Sequence, residues 1–169
     1  SYTSNDLTLY AKHIFFNREI REVCYQQEPD NLIWCVLDNG TLAVLTYLAE
    51  QNVCAWTRHD TQGNYKSICT IPNRGYDEIW FAVERNGRCF IERLAQRLAS
   101  KEPEDQLFLD AAVSRKSETA FSELGGLNHL EGCEVGVLAD GSPLAGLVVE
   151  DGKITLPRPM KCVHAGLAY

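Results

Sequence analysis

Three histidines are the residues whose positions could support catalysis. His59 is followed directly by Asp60, His129 precedes Cys133 by four positions, and His164 lies near the end of the chain. A histidine that acts as a general base needs a partner that orients its ring. Because neighbouring residues of a strand point to opposite faces, Asp60 would not orient His59. We therefore expect His59 and Asp60 to lie on a surface or at an interface.

A cysteine nucleophile requires a histidine within hydrogen-bond reach and a third group that orients that histidine. His129 and Cys133 flank a predicted turn and have no third group beside them in the sequence. His164 is predicted to be a strand residue that faces solvent or a neighbouring domain. The sequence contains no Gly-rich phosphate loop and no nucleophile elbow. We predict no catalytic, cofactor-binding or metal-binding residues, no cofactor and no enzyme. A cysteine or histidine hydrolase is a lesser hypothesis, which requires a Cys and a His within reach in a cleft.

The seven cysteines are an odd number, which is unusual for a secreted disulfide scaffold. No pair has the Cys-x-x-Cys spacing of a metal knuckle, and no pair of histidines has metal-ligand spacing. Free cysteines behave as small buried hydrophobic residues. We expect buried thiols in a reducing compartment, above all for the five cysteines that lie inside apolar or aromatic runs, namely Cys24, Cys35, Cys54, Cys69 and Cys89.

The three tryptophans allow two interpretations. Trp34, Trp56 and Trp80 could form a stacking platform for bases or sugars, in which case they would form a solvent-facing row in a groove. They could instead anchor the packing of repeated units, where each would bury a large apolar area. We favour the core interpretation because Trp34 and Trp80 occupy equivalent places in a sequence repeat.

The composition excludes several classes of function. The formal net charge is −7, and a broad nucleic-acid-binding surface would require clustered Lys and Arg. No apolar run approaches the roughly 20 residues that span a bilayer, and the polar start does not resemble a signal peptide. The chain does not begin with Met, so we interpret it as a fragment of a longer protein.

Tight-turn signals separate short apolar runs along the whole chain. Asn-Gly and Asp-Gly are strong hairpin signals because both central residues of a type I′ turn need positive φ. Four such turns predict an all-β protein, and they lie at residues 38–40, 85–87, 139–141 and 150–152.

The first half contains a repeat in which strand, loop, Trp-bearing strand, tight turn and strand follow one another. The Trp residues are 46 positions apart (80 − 34), and the first unit has a further strand at Val53–Trp56. A four-stranded repeat of about 40–50 residues is typical of a β-propeller blade. We predict two propeller-like antiparallel blades over residues 1–100. Residues 92–101 could form a short helix or an irregular linker.

The second half is predicted to be a small antiparallel β-barrel or sandwich over residues 107–169, after a linker at 101–106. Its predicted strands include 111–113, 134–138, 144–149 and 153–156, with a closing strand at 163–167. A polar loop is predicted at 114–118.

The combined motifs resemble a known family. The resemblance rests on the runs from Trp34 to Tyr47, Glu50 to His59, Asp77 to Arg85, Gly126 to Gly132, Val137 to Gly141 and Val163 to Tyr169. These runs are similar to the tail tubular, or nozzle, proteins of short-tailed phages and prophages, and they extend over nearly the whole chain from Leu7 onward. The chain resembles a C-terminal fragment of such a protein.

The resemblance implies a structural role in a virion. The protein would help to build a short bacteriophage or prophage tail around the DNA exit channel. The tail would be assembled in the cytoplasm of the bacterial host and would be part of the virion. Its partners would be copies of itself and other tail proteins, with DNA only as transiting cargo and no membrane span. The alternative is a β-rich binding module for a carbohydrate or a receptor. We also expect the chain to expose sheet edges, and therefore to associate.

Overall fold

The structure is a computed structural model that describes residues 6–96, 102–105 and 107–168. It is all-β, as predicted, and its strands form three antiparallel sheets, none of which closes into a barrel among these residues. The chain divides into two compact units, Ser1–Leu94 and Ala95–Tyr169. Among the residues described, no helix has both the length and the apolar character needed to cross a membrane.

The first unit consists of two antiparallel sheets and a short helix. One sheet has the order β1-β2-β3-β4 and the other the order β5-β6-β7. A 3-10 turn at Ala49–Gln51 joins β3 to β4. The elements of this unit are α1 (Lys12–Phe15), β1 (Ile20–Gln26), β2 (Leu32–Leu37), β3 (Leu42–Leu48), β4 (Val53–His59), β5 (Asn64–Asn73), β6 (Tyr76–Arg85) and β7 (Arg88–Arg93).

The two sheets of the first unit bury a common core between them. Alternate residues of a strand point to the same face, so every second apolar residue enters this core. Its members come from both sheets, and they are Trp34, Val36, Leu42, Val44, Tyr65, Ile68, Ile79, Phe81 and Val83. The opposite face of the β1–β4 sheet is covered in part by α1, where Ile14 and Phe15 pack against Cys35, Leu37 and Ala43.

The second unit is one four-stranded sheet in the order β10-β9-β11-β8. Its strands are β8 (Asp110–Gly125), β9 (Glu134–Ala139), β10 (Ser142–Val148) and β11 (Lys153–Leu167), with 3-10 turns at Pro103–Asp105 and Asn128–Leu130. Its core includes Leu124, Val137, Ile154, Val163 and Ala165.

Two strands of the second unit are longer than the sequence predicted. The prediction of a polar loop at 114–118 is wrong, because β8 continues through it. The polar side chains at 114–118 lie on a largely exposed part of β8, and an exposed strand accommodates polar residues just as a loop does. β11 joins two predicted strands across Pro157 and Pro159, and its register with β8 shifts between Thr155 and Met160, where two residues lack a backbone N–H.

Three of the four predicted turns have the expected backbone. Both central residues have positive φ at 86–87, 140–141 and 151–152. At 38–40 only Gly40 does, with φ +79°, and an added Cβ there would also lie 2.7 Å from Asn64 Oδ1. The turn between β2 and β3 therefore requires glycine both for its φ and for space.

The predicted linker and helix fall partly outside the described residues. β7 ends at Arg93, residues 94–96 have no regular structure, and the rest of the possible helix, 97–101, lies outside the described residues. Of the predicted linker at 101–106, residues 101 and 106 also lie outside them. Glu104 and Asp105 contact β8 and β11 of the second unit.

A buried ion pair joins β6 to β7 in the first unit. The Arg85 guanidinium donates to both carboxylate oxygens of Glu92, at 2.7 and 2.9 Å, and to the carbonyl of Gln62 at 2.8 Å. The Arg85 side chain is only 2 % exposed. On the opposite face of the same sheet, Lys66 and Glu84 pair at 2.8 Å with half-exposed side chains.

We predict that Glu92→Ala destabilises the first unit by about 3 kcal/mol, since it removes the carboxylate that accepts two hydrogen bonds from a buried guanidinium. The matched variant Glu84→Ala removes an exposed partner and should cost less than about 1 kcal/mol. Urea unfolding followed by tryptophan fluorescence measures both, because all three tryptophans lie in this unit. Equal losses for the two variants would contradict the prediction.

Candidate functional site

The candidate site lies in the second unit, where residues 102–105 cover β11. Cys162 and His164 are two positions apart on β11, so their side chains share one face of the strand. Ser114 of β8 is paired directly opposite His164 in the sheet. The prediction that His164 faces solvent or a neighbouring domain is wrong, because it is 8 % exposed beneath Glu104 of the same unit.

The hydrogen bonds of His164 define its protonation. Its Nε2 lies 2.8 Å from the Glu104 carbonyl oxygen, and its Nδ1 lies 2.7 Å from Ser114 Oγ. A carbonyl oxygen can only accept, so Nε2 carries the hydrogen and donates it. In the neutral imidazole, Nδ1 then accepts from the Ser114 hydroxyl, so both ring nitrogens have a partner.

The thiol of Cys162 converges on the same carbonyl. Its Sγ lies 3.4 Å from the Glu104 oxygen, 3.5 Å from His164 Nε2 and 4.0 Å from Asp105 Oδ1. Burial raises the pKa of Cys162; Lys116 lowers this pKa, whereas the nearby carboxylates, Asp105 first among them, raise it. The thiol is therefore protonated at neutral pH and donates to the Glu104 carbonyl.

Charged groups surround the exposed side of the site. Lys116 Nζ lies 3.0 Å from Glu104 Oε1 and 3.0 Å from Asp105 Oδ1, and these hydrogen bonds raise the pKa of Lys116. Asp140 Oδ1 accepts from the backbone N–H groups of Cys162 and Lys161 at 2.9 Å each, which lowers the pKa of Asp140. Asp140 thus anchors the turn after β9 to β11 beside Cys162.

The arrangement meets one requirement of a cysteine hydrolase and fails two others. Cys162 and His164 are within hydrogen-bond reach, as that hypothesis requires. However, Cys162 is 3 % exposed, so its sulfur is not open to a substrate. His164 also presents an N–H to the sulfur instead of a lone pair, so it cannot take the thiol proton in this state. The geometry described here does not activate Cys162 as a nucleophile.

The same group has the composition of a metal site. Cys162 Sγ, His164 Nε2 and a carboxylate oxygen of Asp105 all lie within 4.8 Å of one another. Thiolate, imidazole and carboxylate are the three side-chain ligands that Zn²⁺ takes in proteins.

The other two histidines that the sequence analysis weighed, His59 and His129, lie elsewhere. His59 contacts Trp34, with ring centroids 5.7 Å apart, and Asp60 forms an ion pair with Arg58 at 3.0 Å. His129 Nε2 lies 2.7 Å from the carbonyl oxygen of Ala111, and Cys133 packs half-buried against the core of the second unit.

The expectation of buried thiols is only partly met. Cys35 and Cys162 are buried, while Cys24 and Cys133 are half-buried. The expectation is wrong for Cys54, Cys69 and Cys89, which are exposed. Their strands lie at a sheet edge or present an uncovered face, so an apolar run in the sequence does not bury every member.

The tryptophans do not form a row. Trp34 is buried in the core, as predicted, and its indole N–H donates to Gln26 at 3.0 Å. Trp56 and Trp80 are half-buried, and their indole N–H groups donate to Leu7 O at 2.9 Å and Glu78 Oε2 at 3.0 Å. Each indole N–H therefore already has a partner within the protein.

The sequence analysis missed the Cys162–His164 pair. The usable signal was the Cys-x-His spacing on one strand, which places both side chains on one face. Nothing local points to Glu104 or Asp105, which reach the pair from 57 or more positions away along the chain.

Neither protein-family models nor curated proteins yield a match to this chain. Its function is therefore argued from its own residues.

We predict that the thiols react in the order of their exposure. Iodoacetamide should modify Cys54, Cys69 and Cys89 rapidly, and Cys35 and Cys162 slowly. Burial raises the pKa of Cys35 from 9.0 to about 11, which alone lowers its thiolate fraction about 100-fold near pH 8.

Mass spectrometry of peptides from a time course measures each rate separately. Modification of Cys162 as fast as that of Cys89 would show an accessible thiolate and would revive the hydrolase hypothesis. Unfolded protein in urea is the control, in which all seven thiols should react at similar rates.

Proposed function

We propose that this protein is a structural component of a short bacteriophage or prophage tail, where it associates with copies of itself and with other tail proteins. In this proposal the two sheets of the first unit act as propeller-like blades, and the second unit acts as a small barrel or sandwich. The resulting tail would surround the DNA exit channel in the virion, and it would be put together in the host cytoplasm.

One observation carries the assembly role, namely the exposed apolar side chains on the outer face of the β5–β7 sheet, which lie among the ion pairs Lys66–Glu84 and Arg93–Glu78. Alternation directs Ile79, Phe81 and Val83 into the core and turns the intervening residues outward. The register places Ile91 of β7 beside Ala82, and Cys69 of β5 beside Trp80, on this outer face. Exposed apolar residues grouped on one sheet face are typical of an interaction surface.

The exposed fractions identify the apolar side chains of that surface. Ile91 is 70 % exposed, and Ile71 on the same face is 46 % exposed. β7 pairs with β6 along one side, and no described strand pairs with its other side. Exposed apolar side chains beside an open sheet edge favour association with another β-rich subunit.

Charge and aromatic positions support a structural role over ligand binding. A net charge of −7 suits a channel wall that must not retain DNA. The carbohydrate- or receptor-binding alternative required a solvent-facing row of tryptophans, and their separate, half-buried or buried positions give it no support.

We expect the wild-type chain to associate, so that its mass by light scattering rises with concentration. Ile91→Lys should shift this equilibrium toward monomer, because it places a charge at the most exposed apolar position of the proposed surface, on its edge strand. The matched control is Val148→Lys, which introduces the same charge at an exposed valine of the second unit. A monomer at all concentrations, or equal effects of the two variants, would contradict the assembly proposal.

The phage origin has a separate test. Sequencing of the DNA that flanks the gene should find genes for tail and portal proteins on either side. Flanking genes of unrelated cellular metabolism would overturn the phage assignment, whatever the association measurements show.

A further inference from the structure

We infer that Cys162, His164 and Asp105 form a Zn²⁺-binding site that fastens residues 104–105 to β11. The three side chains reach one point from two distant parts of the chain, and a carbonyl oxygen of Glu104 lies at the same point. The inference does not depend on the proposed function, since the site lies in the second unit and the association surface in the first.

The distance between the sulfur and the nitrogen fits tetrahedral coordination. Ligand bonds of about 2.3 Å to sulfur and about 2.0 Å to nitrogen place those two atoms about 3.5 Å apart around tetrahedral zinc. The distance from Cys162 Sγ to His164 Nε2 is 3.5 Å. The distance from Sγ to Asp105 Oδ1 is 4.0 Å, and the Asp105 side chain is partly exposed, so it can close the remaining gap.

The Glu104 carbonyl oxygen becomes the fourth donor if it moves outward by about 0.5 Å, because two oxygen or nitrogen ligands of tetrahedral zinc lie about 3.3 Å apart. It lies 3.4 Å from Cys162 Sγ and 2.8 Å from His164 Nε2, and without metal it accepts hydrogens from both. A cation that takes the place of the thiol hydrogen and the Nε2 hydrogen would contact Cys162 Sγ, His164 Nε2 and the Glu104 carbonyl oxygen. A site with one thiolate and one imidazole favours Zn²⁺ or Co²⁺ over Mg²⁺ and Ca²⁺, which prefer oxygen ligands alone.

Metal binding changes the protonation of two side chains, and every proton is accounted for. The Cys162 thiol loses its proton to solvent, and the zinc–sulfur bond forms. His164 stays neutral, because it loses the Nε2 proton and gains one at Nδ1. The Ser114 hydroxyl then rotates and accepts the Nδ1–H across the same 2.7 Å, so one proton is released per metal ion bound.

Ser114 therefore occupies the position of an outer-shell partner. Histidines that bind metals usually donate their second N–H to an oxygen, which orients the ring. The directly opposed positions of Ser114 and His164 in the β8–β11 pair hold that oxygen in place. Asp140 restrains the backbone of Cys162 from the other side.

The test uses the full chain with Cys54, Cys69 and Cys89 replaced by Ser, so that exposed thiols cannot bind metal. Dialysis against Zn²⁺ followed by elemental analysis should find one ion per chain. Co²⁺ should give the visible absorption of a tetrahedral site together with a sulfur-to-cobalt charge-transfer band. Binding of less than half an ion, or a Co²⁺ spectrum without the charge-transfer band, would overturn the inference.

Variants assign the ligands. Cys162→Ser should abolish the charge-transfer band, and Ser114→Ala should weaken metal binding about 10-fold, as expected for an outer-shell partner. Cys133→Ser is the matched control, a half-buried cysteine of the same unit, and it should leave affinity and spectrum unchanged. If circular dichroism shows that Cys162→Ser does not fold, the affinity of Asp105→Asn for the metal is the deciding measurement. This substitution changes a partly exposed carboxylate, so the variant should fold. Unchanged affinity in Asp105→Asn would remove Asp105 from the site and contradict the inference.

Discussion

A β-sheet in water is stable when apolar side chains cover at least one of its faces, and this constraint governs the first unit. The β1–β4 sheet has one face against the β5–β7 sheet and part of the other beneath Ile14 and Phe15 of α1. The β5–β7 sheet has a comparable core face but leaves Ile91 on its outer face in solvent. That outer face is the surface that we propose for association.

The same constraint produces the polar network of the second unit. Near its end β11 is buried on both faces, with Val163 and Ala165 in the core and Cys162 and His164 beneath residue Glu104. Buried polar groups must be hydrogen-bonded, and here one carbonyl and one hydroxyl satisfy the pair. The convergence that satisfies these groups also brings together a set of metal ligands.

The sequence predicted the local features of this fold well. The turn at Asp140 and Gly141 and the Trp34 strand depend on backbone φ and on alternation, which neighbouring residues determine. The loop predicted at 114–118 was wrong because polarity identifies exposure and does not identify the end of a strand. Exposed Cys89 was mistaken for a buried residue because an apolar run does not reveal which face a neighbour covers.

By itself the sequence determined the strands, the tight turns and the shared face of Cys162 and His164, since a period of two and a positive φ are properties of adjacent residues. Only the tertiary structure decided that residues 104–105 cover that face. Asp105 lies 57 positions from Cys162, and Ser114 lies 50 from His164. Such contacts depend on which strands pair and which segments pack over them, and the packing energy of the whole unit selects that arrangement.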